Sequence, residues 1–173
     1  MKMNTRVLAI LSLLVGIGAV LHAVVPPILF GMRPDIMLPM MFLGILLFPK
    51  LPYVFLLSIA TGIISALTTT VPGGQISNII DKPVTALIFF GLFLLVRKLD
   101  TKFTAPVLAA IGTVVSGTVF LSMALYVIGL LEAGFVALFA TVVLPATLFN
   151  VIFIIVLYPV IKRIMNRAQP VAI

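Results

Sequence analysis

The chain has 173 residues, 63% of them hydrophobic and 9% charged, with a mean hydropathy of +1.39; an ordinary soluble domain is about 25% charged, so this is the composition of an integral membrane protein. A net charge of +7 would suggest a nucleic-acid partner in a soluble chain, but here the cations stand between apolar runs, report topology and argue for no nucleic acid. With no cysteine and a single histidine, His22, a disulfide framework, a thiolate metal site, a Cys nucleophile and a His-rich metal site are excluded.

A bilayer core about 30 Å thick takes about 20 apolar helical residues. By that rule the sequence predicts an all-α bundle of six transmembrane helices: about Val7 to Val25, Ile36 to Phe48, Tyr53 to Thr70, Pro83 to Val96, Ala105 to Leu131 and Phe135 to Ile161. The first run follows MKMNTR as a signal peptide would, but no small-x-small cleavage site follows and further spans do, so it is read as the first span. The second is the shortest and carries Pro39. Breaks fall at Pro26-Pro27, Gly31 to Asp35, Pro49 to Pro52, Pro72 to Gly74, Arg97 to Lys102 and Glu132 to Gly134. No internal repeat is visible, so residues 1–173 are read as one domain.

Nine of the eleven Lys and Arg residues (Lys2, Arg6, Lys50, Arg97, Lys98, Lys102, Lys162, Arg163 and Arg167) fall in connections on one side of these spans, and Arg33 and Lys82 on the other. Both termini are therefore expected in the cytoplasm. Asp35, Asp81 and Glu132 then lie outside or at outer helix ends, and Asp100 inside.

The connection before the fourth span, GGQISNIIDKP, gathers Gln75, Asn78, Asp81 and Lys82. It has two readings. Asp81 suits the N-cap of span four, with Pro83 in the first turn and Lys82 reaching for headgroups. Alternatively, the adjacent opposite charges and the two amides can serve the ammonium and carboxylate of a zwitterion such as a free amino acid. Arg33 and Asp35 form a second outer pair, read as a turn salt bridge or as part of a lid. Asn150, five residues after Pro145 and deep in span six, must find partners and should face the bundle, because an unsatisfied amide in hydrocarbon costs several kcal/mol.

Small residues recur at helical spacing: Ser12 and Gly16, Ala19 and Ala23, Ser58, Gly62 and Ala66, and Ala105, Ala109, Thr113 and Gly117. Such stripes let another helix come close, and the one on span one is the candidate for a different subunit. A phosphate-binding loop, HExxH, Gly-x-Ser-x-Gly and paired intramembrane acids are all missing, so the chain is not read as an enzyme. No charge lies near the middle of a proposed span, so energy for uphill transport is expected from elsewhere.

A basic chain of this length, with six spans, both ends inside, a small-residue stripe on its first helix and polar outer loops, resembles the substrate-binding S components of energy-coupling-factor (ECF) vitamin and micronutrient transporters. GMRPDIMLPMMFLGILLFP and VPGGQISNIIDKPVTALIFF are similar to the tryptophan-specific branch found in Gram-positive bacteria. The resemblance implies a subunit of the bacterial cytoplasmic membrane, without cofactor or metal of its own, that docks on a transmembrane coupling protein and ATPase subunits. It implies capture of L-tryptophan or a related aromatic amino acid on the outer side, closure of the loop from Gly31 to Asp35, and release inside after an ATP-driven rearrangement. Arg33, Gln75, Asn78, Asp81, Lys82 and Asn150 become pocket candidates: Asp81 for the ammonium, Arg33 or Lys82 for the carboxylate, and Asn78, Gln75 or Asn150 for the indole N–H. The family's Ala-x-x-x-Ala docking pattern has its nearest matches in Ser12 with Gly16 and Ala19 with Ala23. The rival readings are a stand-alone aromatic amino-acid permease and a non-transport membrane scaffold like the rod-shape proteins, which needs no tight small-molecule site.

Overall fold

A computed structural model describes residues 3–26, 34–99, 101, 103–129 and 134–167. Arg33, Asp100, Lys102, Glu132 and most of the expected lid lie outside them. The described residues form six helices. Helix α1 is Thr5–Val24, α2 Met37–Leu47, α3 Leu51–Thr68 and α4 Gly74–Val96. Helix α5 is Thr104–Ile128, whose last residues Met123–Ile128 wind as a π-helix. Helix α6 runs through Phe135–Leu138, a π segment Phe139–Val143 and Leu144–Arg167.

Five of these are long and apolar enough to cross a membrane, and α2 is a shorter apolar helix. At 1.5 Å per residue its 11 residues reach about 16 Å, half of a bilayer core. All of them are buried, because α2 is packed against the other five helices. Pro39 falls in its first turn, where the missing N–H costs no helical hydrogen bond. Around it, large apolar side chains such as Leu13, Leu67, Leu95, Val136 and Leu148 are exposed, as a lipid-facing surface requires.

The expected fourth span is corrected. It begins at Gly74 rather than at Pro83, and the polar stretch is helical rather than a loop. The buried residues Gly74, Ser77, Asn78, Asp81, Lys82, Thr85, Ala86 and Phe89 recur every three or four positions, the period of one helix face. Pro83 sits inside, where it withholds an N–H from Ile79, a loss that membrane helices accept when neighbours re-satisfy the backbone. Asp81 is therefore not an N-cap. The preceding turn instead needs Gly73, whose φ is 72° and where a Cβ would come within 2.5 Å of Ile128.

Helices α3 and α4 pair closely because Gly62 lets the α4 backbone approach: a Cβ there would stand 3.4 Å from the Asn78 carbonyl oxygen and 3.5 Å from Lys82 Cβ. The core is centred where α2, α4 and α5 meet. Phe42 and Phe89 stack with ring centroids 4.1 Å apart, over Gly112, where a Cβ would meet Phe42 Cζ at 2.6 Å. The chain runs up and down. The end of α1, the start of α2, the α3–α4 turn, the π end of α5 and the start of α6 collect at one end of the bundle. Arg6, Lys50, Arg97, Lys98, Lys162, Arg163 and Arg167 belong to the opposite end, where the Asn4 N–H donates to Tyr53 Oη at 2.9 Å and ties α1 to α3.

Candidate functional site

The polar face of α4 points at a cavity at the first of these ends. Its volume is about 100 Å³, well above the roughly 10–15 Å³ that admits one water. Its polar lining is His22 from α1, Asp35 ahead of α2, Thr69 and Thr70, Asn78, Asp81 and Lys82 of α4, Thr113 and Ser116 of α5, and Asn150 of α6. Its apolar lining comes from Leu38, Val71, Phe120, Leu121, Val142, Val143 and Ala146.

Lys82 organises the polar lining. Its side chain is 1% exposed, with Nζ 2.5 Å from Asp81 Oδ2 and 2.6 Å from Asp35 Oδ2. Asp81 receives two more donors, Thr85 Oγ1 at 2.7 Å on Oδ1 and Ser116 Oγ at 2.8 Å on Oδ2. Three donors converging on one carboxyl are the surroundings of an ionised carboxylate. Asp35 closes the triad from the connection ahead of α2. Burial works against the charge of its carboxyl, but the Lys82 ammonium beside it outweighs that and helps hold it below the usual carboxylate range.

The amides are tethered in different ways. Asn78 Nδ2 donates to the carbonyls of Gly74 at 2.8 Å and Ser65 at 3.4 Å, linking α4 to α3. Asn150 faces the bundle and donates through Nδ2 to Thr113 Oγ1 at 3.2 Å, while the Thr113 hydroxyl itself donates back to the Ala109 carbonyl at 2.8 Å. Among the described residues, the buried side-chain atoms without a hydrogen-bond partner are His22 Nδ1, Asp35 Oδ1 and Ser65 Oγ. The first two belong to residues lining the cavity.

Of the residues singled out in the sequence, Asn78, Asp81, Lys82 and Asn150 are brought together here. Gln75 is exposed on α4 and does not line the cavity, and Arg33 lies outside the described residues. Asp35, which the sequence pairs with Arg33, is bonded to Lys82. Asp81 and Lys82 are the eighth and ninth residues of a spanning helix, which corrects the expectation of spans free of charge in their interior. His22, Thr85, Thr113 and Ser116 were not foreseen. A signal existed for Thr85, since Asn78, Asp81, Lys82 and Thr85 stand at i, i+3, i+4 and i+7.

On α1, Ser12, Gly16 and Ala23 are exposed and Ala19 is half-buried, and a Cβ on Gly16 would meet nothing within 4 Å. The other stripes are used internally: Ser58, Gly62 and Ala66 are buried, and Gly117 lies against Val143 of α6. Among the described residues no three His, Cys, Asp or Glu side chains are grouped to hold a metal.

A family model described as "Tryptophan transporter TrpP" matches residues 4–166. A protein of Bacillus subtilis (strain 168) named "Probable tryptophan transport protein" is 56% identical, the match covering 96% of each chain. Proteins of the same name from Clostridium acetobutylicum and Clostridium perfringens are 43% and 36% identical, with 96% of this chain covered and 97% and 96% of theirs. No solved structure matches. Identity at this level over nearly the whole length, with the family match from end to end of the helical bundle, means that the chain belongs to the tryptophan transporter TrpP family.

Proposed function

We propose that the chain binds L-tryptophan in this cavity and is the substrate-binding membrane subunit of an ATP-driven, ECF-type uptake system. The observation that carries the reading is the cavity itself. It combines a charged triad, Asp35, Lys82 and Asp81, the last two buried, with apolar lining from Leu38, Phe120, Leu121, Val142 and Val143. An amino acid with an indole side chain needs both, together with an acceptor for the ring N–H. Asn150 suits that acceptor role, since its NH₂ is engaged with Thr113 and its carbonyl oxygen can take a ligand N–H. The names of the relatives agree with this substrate.

The docking half of the proposal draws on α1, whose Ser12, Gly16 and Ala23 face outward with room for a partner helix to approach. The cation-rich opposite end supports cytoplasmic termini in a bacterial cytoplasmic membrane and a cavity that opens outward.

A second reading is favoured by one observation. Asp81 and Lys82 lie buried inside a spanning helix, where ionisable groups serve proton-coupled carriers, and this revives a permease that works alone.

Two experiments divide these readings. The chain contains no tryptophan, so the indole fluorescence of added L-tryptophan reports the ligand alone. Titration of the purified protein in detergent should give a saturable blue shift that leucine does not compete; a folded protein giving no shift would leave the scaffold reading. Uptake by cells that produce the chain without ATPase partners should be absent, and robust uptake there would establish the permease.

A further inference from the structure

We infer that the pocket recognises its ligand by the ammonium group, through Asp35 Oδ1, and that the ligand's carboxylate is the dispensable pole. The inference rests on the reading of the cavity as an indole amino-acid site. It reassigns the role that adjacency in the sequence suggests for Asp81.

The argument begins with which atoms are already served. Asp81 takes hydrogen bonds from Lys82, Thr85 and Ser116. Asp35 takes its ion pair on Oδ2, and its buried Oδ1 has no partner. His22, 5% exposed, lines the same cavity with Nδ1 also unpartnered. An unmade hydrogen bond at a buried acceptor is costly, so Asp35 Oδ1 at the cavity calls for a donor, whereas an imidazole nitrogen can be served by a donor or an acceptor. A primary ammonium brings three donors and no acceptor.

Charge points the same way. Among the described residues the triad holds one cation, Lys82, against two carboxylates, Asp35 and Asp81. An ammonium brings this set to neutrality, whereas a carboxylate adds a third anion in a poorly screened site. Lys82 has two of its three N–H groups committed to Asp35 and Asp81, so a ligand carboxylate would share what is left. The ammonium gains a whole acceptor and the carboxylate a fraction of a donor.

The test uses three indoles on the purified protein in detergent, followed by ligand fluorescence. L-Tryptophan carries both poles, tryptamine only the ammonium, and indole-3-propionate only the carboxylate. Tryptamine should bind within about tenfold of tryptophan and indole-3-propionate about a hundredfold more weakly, the range of a lost hydrogen bond to a charged group. Asp35→Asn should weaken the two ammonium ligands by about tenfold or more and leave indole-3-propionate no weaker. Should the variant fail to fold, the three affinities of the parent protein still decide.

Equal affinity for tryptamine and indole-3-propionate, the reverse order, or an Asp35→Asn variant that binds tryptophan as the parent does would each overturn the inference. Failure of the underlying reading looks different. If tryptamine binds and tryptophan does not, the ammonium site stands and the tryptophan assignment falls; if no indole binds, both fall together.

Discussion

Lys82 is a lysine that water barely reaches, at 1% exposure, and its tolerance inside the bundle depends on two carboxylates at 2.5 and 2.6 Å. Desolvating each of these ions costs several kcal/mol, and their mutual attraction returns that only while the set is complete. Lys82→Met should therefore strand Asp81 and destabilise the detergent-solubilised protein by about 3–5 kcal/mol, read as a lowered midpoint of thermal or SDS unfolding. Adding Asp81→Asn to that variant should recover part of the loss, because the two substitutions act on one network and are not additive. This site was only partly legible in the sequence. The adjacency of Asp81 and Lys82 is visible to anyone reading the chain, but Ser116 and Asn150 meet their partners across 35 and 37 residues. Single hydroxyls on apolar helices carry no motif, so only packing reveals which of them face Asp81.

At the scale of elements, hydropathy located all six helices and misplaced one important boundary. Gly73-Gly74 and Pro83 bracket the polar stretch and read as loop punctuation, and five polar residues in eight look wet. What overrides the punctuation is their period, with Asn78, Asp81, Lys82 and Thr85 on one face. The faces opposite, Ser58, Thr61, Gly62 and Ser65 of α3 and Thr113 and Ser116 of α5, are small or polar and buried. A polar stripe needs water only if its neighbours are greasy. The close approach of α5 to α2 and α4 rests on Gly112, so Gly112→Ala should overpack the Phe42–Phe89 stack and cost about 1–3 kcal/mol. Gly91→Ala, in α4 with nothing within 4 Å of the new methyl, should instead be neutral or stabilise by up to about 1 kcal/mol. Parallel unfolding of the two variants in one detergent checks the contrast.

For the whole molecule, the two ends of the bundle divide the work, the cavity at one and the cations at the other, with the small-residue face of α1 on the flank. If that face meets a coupling protein, Gly16→Leu should leave tryptophan affinity of the isolated chain unchanged while sharply lowering uptake and co-purification of ATPase partners. Loss of both, or of neither, would remove α1 from the docking role. Helix α2 has a consequence of another kind. Of the five helices it touches, only α1 precedes it in the chain, and α3 to α6 all follow. As the ribosome delivers the protein, this half-length segment must wait in the membrane beside a single companion, without the walls that will later enclose it. The centre of the molecule is thus made early and finished last, and the arrival of α6, which carries Asn150 to Thr113, completes the core and the cavity in the same event.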